Sequence, residues 1–338
     1  MTSTSVHEPS STNDPATEEA PIASDSWIKL AGRWVVQHAI FSMLLAFIVV
    51  FAVLNPVFGS IGNVEVILLA ASGAALLAIG EAFVVLTGGI DLSVGSVVGL
   101  SGVVSALVAQ QAPVPIAVLA GVGAGVAVGL INGTAVAVAK MPPFVVTLGM
   151  LTVAFGVAQV LSGGAPISGL PDGFVWIANG SLLGIPIPIL VMAAVFAVAW
   201  VVAQRSKFGM NVYAVGGNPL AATIAGVKTR RVTTSVYCIS GALAGLAGVM
   251  LASRVTAGIA STGTGYELDA IAAVVIGGIS LVGGRGKITG ALIGVLIIAT
   301  LNNGLDILNV SAFYQNIIKG ALIIFAVLVD VRVAKREA

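Results

Sequence analysis

Polar residues are scarce in this sequence, and four clusters of them could do chemistry. Glu81 and Asp91 are acids in apolar surroundings. Around the second, the run Thr87-Gly88-Gly89-Ile90-Asp91-Leu92-Ser93-Val94-Gly95 interrupts a long hydrophobic stretch. Acids buried in this way can bind an ion or line a pathway, although Asp91 or Ser93 could equally cap the helix that follows. Asn302, Asn303 and Asp306 form a second cluster, followed by Gln315, Asn316 and Lys319. Side-chain amides suit recognition of hydroxyl groups and suit helix–helix hydrogen bonds just as well, and Asp306 and Lys319 could pair as ions. Gly283-Gly284-Arg285-Gly286-Lys287-Ile288-Thr289 superficially suggests a phosphate loop. Its lysine is followed by Ile288 rather than Ser or Thr, so it reads as a Gly-rich turn carrying charge. The fourth, the stretch from Asn218 to Gly226, is largely apolar, with Asn218 and Thr223 as its polar side chains. No Ser/His/Asp or zinc-protease spacing occurs, His7 and His38 have no ligand cluster around them, and Cys238 is the only cysteine. The reading is therefore of a chain that is no enzyme, with no catalytic residue, metal or cofactor expected.

The elements that position these clusters follow from composition. Of 338 residues, 58% are hydrophobic and 9% charged, with 15 Lys+Arg against 14 Asp+Glu. That is far too little charge to cover a water-facing surface. A net charge of +1 gives no reach toward nucleic acid. The apolar residues fall in long uncharged blocks, the signature of membrane helices and not of a barrel. The fold class is all-α: a polytopic helical membrane protein with about ten spans, at 34–54, 64–87, 94–110, 114–139, 144–161, 185–202, 232–252, 268–282, 288–307 and 311–329. The eighth suffices only if its ends are recessed.

The basic residues orient such a bundle. With the N-terminus cytoplasmic, about ten crossings put Lys29, Arg33, Lys140, Arg205, Lys207, Lys228, Arg230, Arg231, Arg285, Lys287, Arg332, Lys335 and Arg336 inside and only Arg254 outside. Both termini are accordingly expected in the cytoplasm. Residues 1–26 contain five acids and no Lys or Arg. They read as a disordered cytoplasmic tail, not a signal peptide, ahead of a transmembrane domain at 27–338.

Glycines recur at i+4 at Gly121, Gly125 and Gly129, at Gly241 and Gly245, and at Gly290 and Gly294. Such faces let helix backbones approach closely, either within one chain or at a dimer seam. The longest connection, 203–231, is expected on the cytoplasmic side. Within it Asn218 (N-cap), Pro219 (first helical position) and Gly226 (C-terminal stop) delimit a short helix whose Leu220, Ala221, Ala222 and Ile224 are mostly apolar. Something must bury so short a helix, and a soluble partner is the economical candidate.

At this point the residues carry a resemblance. Leu220-Ala221-Ala222-Thr223-Ile224-Ala225-Gly226 resembles the EAA-type loop of ABC importer permeases, with Leu220 where that pattern has Glu. The runs 265–275 and 277–287, together with 88–95, Leu301-Asn302-Asn303-Gly304-Leu305 and Tyr314-Gln315, resemble the ribose-type permeases over roughly residues 60–331. The resemblance implies a permease subunit of the cell (inner) membrane. It would work as a homodimer with cytoplasmic ABC ATPase subunits and an extracytoplasmic sugar-binding protein, moving a monosaccharide such as ribose, xylose, galactose or inositol. On that reading Asp91, Ser93, Asn302 and Asn303 are expected along the substrate pathway, and the 218–226 helix couples to the ATPase. The rival class is an ion-coupled secondary transporter of a small polar solute, using Glu81, Asp91 and Asp306.

Overall fold

The computed structural model describes Thr2 and residues 39–337. The expected acidic tail, the start of the first span, Lys29, Arg33, His7 and His38 lie outside the described residues. The helices are α1 (Ala39–Leu54), α2 (Ile61–Leu86), α3 (Val94–Ala109), α4 (Val114–Ala137), α5 (Pro143–Ser162), α6 (Asp172–Asn179), α7 (Ile187–Arg205), α8 (Lys207–Gly217), α9 (Pro219–Ile224), α10 (Thr229–Arg254), α11 (Tyr266–Ile276), α12 (Ile288–Ile307) and α13 (Ala312–Glu337). A 3-10 turn, Pro56–Gly59, joins α1 to α2, and a two-residue antiparallel ladder pairs β1 (Ser181–Leu182) with β2 (Ile185–Pro186), Ser181 opposite Pro186.

Among the described residues six helices, α2, α4, α5, α7, α10 and α12, are long and apolar enough to cross a membrane, with Ile40–Leu54 and α3 shorter but apolar. The chain is thus a polytopic helical membrane protein. Helices α2, α10 and α12 are mostly buried and form the centre, whereas α4, α5 and α7 turn most of their surface outward. The eighth expected span proves to be a half-helix, because α11 has only 11 residues. At ~1.5 Å per residue it reaches about 16 Å, against a hydrocarbon core of about 30 Å. It stops where Gly278 adopts a left-handed φ of +77° and Gly277 lies against the backbone of Gly290 on α12.

The breaks sort to two ends. The Gly284 N–H donates to the Leu86 carbonyl at 2.9 Å, and Gly216 packs against both groups, so the start of the 87–93 break, the 277–287 break and α8 share one end. At the other, Ile167 and Gly258 form a backbone bridge and the Ala178 N–H donates to Ser253 Oγ at 2.9 Å. The connections after the second, sixth and eighth hydrophobic blocks thus lie opposite those after the fifth and seventh.

The i+4 glycines pack within the chain. A Cβ added at Gly125 would overlap the Gly241 carbonyl on α10, and one at Gly129 the Tyr237 carbonyl; Gly290 and Gly294 face Gly277 and Ala273 of α11 in the same way. Without water to drive association, such backbone contact supplies the dispersion energy that holds two membrane helices together.

Candidate functional site

A cavity of about 420 Å³ opens between α2, α10, α11 and α12, toward the end opposite α8. Its lining is mainly apolar, with Arg254, Tyr266, Asp269, Asn302, Asn303 and Asp306 as the polar exceptions that matter chemically. Helix periodicity explains part of this grouping: Asn302, Asn303 and Asp306 lie within about one turn of α12. Asn303 is committed, since its Nδ2 donates to Asn63 Oδ1 and the Asn63 Nδ2 donates back to Asn303 Oδ1, both at 2.9 Å. Asn302 is not: its Oδ1 is buried without a hydrogen-bond partner.

The expected Asp306–Lys319 pair is not formed. Asp306 Oδ1 accepts from Gln315 Nε2 at 2.7 Å, while Lys319 Nζ lies 3.4 Å from Asp269 Oδ1 on α11. The reason is distance along α13. Asp306 is near the end of α12 and Gln315 is in the first turn of α13, so these two face each other across the turn. Lys319 lies one further turn along, about 6 Å, level with Asp269.

Asp91 and Ser93 lie apart from the cavity, each 1% exposed. Asp91 Oδ1 accepts from the Ser93 N–H at 3.0 Å and from Ser93 Oγ at 2.6 Å, and its Oδ2 accepts from Ser240 Oγ of α10 at 3.0 Å. The Asp91 N–H donates to Glu81 Oε1 at 3.0 Å, and Asn132 Nδ2 of α4 donates to Ser93 Oγ at 2.9 Å. The Ile90 carbonyl accepts from Thr147 of α5 and Tyr237 of α10. Non-helical backbone at this depth needs such internal partners, and these side chains supply them from four helices. Ser93 occupies the N-cap position of α3 but spends its hydroxyl on Asp91 rather than on the helix.

At the other end α9 has the local structure its sequence predicts. Asn218 Oδ1 accepts from the Ala221 N–H at 2.9 Å, Pro219 opens the helix, and Gly226 has φ +85°. Leu220 and Ile224 are 71% and 80% exposed, Ala221 is exposed, and Ala222 is buried against the body of the protein. Sequence reasoning misses α8 inside the 203–231 connection. Its signals are Ser206, whose Oγ accepts from the Gly209 N–H, and the buried Val212 and Val215 on the inner face. Tyr213 of α8 donates to the Gly286 carbonyl at 3.0 Å, and its burial pushes the phenol above its ordinary pKa. Among the described residues no group of three or more His, Cys, Asp or Glu could hold a metal ion.

Comparison with known proteins adds the family context. Residues 63–327 match the family model described as "Branched-chain amino acid transport system / permease component". The chain is 44% identical to the ribose import permease protein of Bacillus subtilis (strain 168) over 290 residues, 85% of this chain and 90% of that one. It is 41% identical to the ribose import permease protein of Escherichia coli (strain K12) over 302 residues, covering 88% and 94%. With the D-allose transport system permease protein of the same strain the identity is 38% over 302 residues, 88% and 93%. No solved structure matches.

Proposed function

This chain belongs to the family of branched-chain amino acid transport system permease components, and on that premise we propose that it is the membrane permease subunit of an ABC importer for a monosaccharide. One observation carries the choice of sugar over amino acid: identity of 41% and 44% to ribose import permeases across 88% and 85% of the chain. Relatives named for allose, arabinose and galactose point to the same substrate class.

The proposed assembly has two copies of this chain, cytoplasmic ABC ATPase subunits and an extracytoplasmic sugar-binding protein, in the inner membrane. ATP hydrolysis takes place on the separate subunit. The end bearing α8 and α9 also carries Arg205, Lys207, Lys228, Arg230, Arg231, Arg285 and Lys287, whereas Arg254 is at the opposite end. This charge bias supports placing α8 and α9 in the cytoplasm. There the exposed Leu220 and Ile224 of α9 would meet the ATPase. The cavity then opens outward, toward a binding protein delivering sugar. Asn302 and Asn303 would border the pathway directly, and Asp91 and Ser93 would serve it by holding the break that joins α2 to α3.

The test is uptake into proteoliposomes of labelled D-ribose, D-allose, L-arabinose and D-galactose. At least one sugar should accumulate only when ATP, the ATPase and the binding protein are all present. Uptake driven by an ion gradient with the permease alone would overturn the proposal in favour of a secondary transporter built on Glu81, Asp91 and Asp306.

A further inference from the structure

The outward-opening cavity contains side chains whose bonding capacity the chain itself does not use. Asn302 Oδ1 is buried and accepts nothing. Arg254 spends one Nη1 bond on the Leu69 carbonyl, at 3.1 Å, and keeps its other donors. Asp269 meets Lys319 through a single oxygen at 3.4 Å. Tyr266 adds an aromatic ring to the wall. Asn303 sets a contrast, because its amide is paired in both directions with that of Asn63, whereas Asp306, like Asp269, spends one oxygen only, on Gln315.

The unused groups define an occupant. The Asn302 amide lines the cavity with no hydrogen bond to fix its orientation and can turn toward a ligand, the second Asp269 oxygen wants donors, Arg254 wants acceptors, and the tyrosine ring wants an apolar face. A metal cation would leave the guanidinium without a partner, and an anion would face Asp269. A neutral ring bearing several hydroxyls satisfies all of them. The cavity volume of about 420 Å³ suits such a ring. It falls within the usual range of small-molecule sites. Resting on the sugar-importer reading above, we infer that this cavity is a hydroxyl-reading site for one monosaccharide. Asn302 reads a sugar hydroxyl, Asp269 and Arg254 flank it, and Tyr266 stacks on the ring. The membrane subunit thereby contributes to sugar selection instead of serving only as a conduit.

The test uses the permease–ATPase complex in nanodiscs without the binding protein, so that selection by the latter is absent. Saturation-transfer NMR with D-ribose, D-allose, L-arabinose and D-galactose should show transfer to at least one sugar. Asn302→Leu and the smaller Asn302→Ser should each weaken the apparent affinity about tenfold, the effect of losing one well-placed hydrogen bond, while Val153→Ala on an outward face leaves it unchanged. In the full importer the Asn302 variants should raise KM for the sugar more than they lower kcat. If wild-type importer takes up none of the four sugars with ATP, the sugar reading itself fails. If it does take one up, the site is overturned by absent transfer in the wild-type complex or by an apparent affinity left unchanged in both Asn302 variants. An equal loss in Val153→Ala also overturns it, since the effect would then be one of stability.

Discussion

A single methyl group at position 216 tests how α8 is locked to the membrane bundle. A Cβ added at Gly216 would overlap the Leu86 carbonyl oxygen and lie 2.5 Å from the Gly284 amide nitrogen. Those two atoms are bonded to each other at 2.9 Å, so the methyl is driven between a donor and its acceptor. Overpacking costs about 1–3 kcal/mol, and leaving the N–H and C=O unpaired adds about 1–3 kcal/mol. Alanine returns about 1 kcal/mol through its better helix propensity. Gly216→Ala should therefore destabilise by roughly 1–5 kcal/mol. Position 217 supplies the control, because a Cβ there meets nothing within 4 Å. Gly217→Ala should be neutral or stabilising by up to about 1 kcal/mol. The assay is heating in detergent followed by size-exclusion chromatography, scoring the temperature at which half the monodisperse protein is lost, alongside ATP-driven uptake. Gly216→Ala should lower both readouts and Gly217→Ala neither. Equal melting temperatures for the two variants would refute the contact between α8, Leu86 and Gly284 as the lock.

Asn218→Ala removes the cap of α9 and should cost about 1 kcal/mol locally. Gly226→Val forces a β-branched residue to a positive φ, and both variants should weaken ATPase association in a pull-down while membrane insertion persists. A double-mutant cycle on thermal stability should find coupling for Asp269→Asn with Lys319→Gln and none for Asp306→Asn with Lys319→Gln; the reverse pattern would restore the Asp306–Lys319 pair. Gly125→Leu should abolish the folded, trypsin-resistant form, because its side chain would occupy the space of the Gly241 backbone, whereas Gly123→Leu, with open space around it, should be tolerated.

What can be read from the sequence is what is encoded locally. The long spans are visible because a hydrocarbon environment demands uninterrupted apolar blocks. Helix α9 is visible because Asn218, Pro219 and Gly226 carry its boundaries within a few positions. The partner of Lys319 is not legible: the choice between Asp306 and Asp269 depends on how α11 stands beside α13. Nor is the contrast between adjacent residues Asn302 and Asn303, since only the approach of Asn63, far earlier in the chain, decides which amide is left unused. The shortness of α11 is concealed by apolar residues continuing past Gly277-Gly278, where the backbone turns although the hydropathy does not. The i+4 glycines announce close approach, yet their spacing holds no information on which helix approaches.

The seam between α4 and α10 also bears on how copies of this chain would recognise each other. The glycine rows at 121–129 and 241–245 are spent on one another, and the outward faces nearby present Leu119, Leu130, Ile131, Val153 and Val160. Lipid tails match such side chains in polarity, so a second copy gains over lipid only by fitting them better. Association through that surface would accordingly shift with acyl-chain length and lateral pressure of the bilayer, and hardly at all with ionic strength.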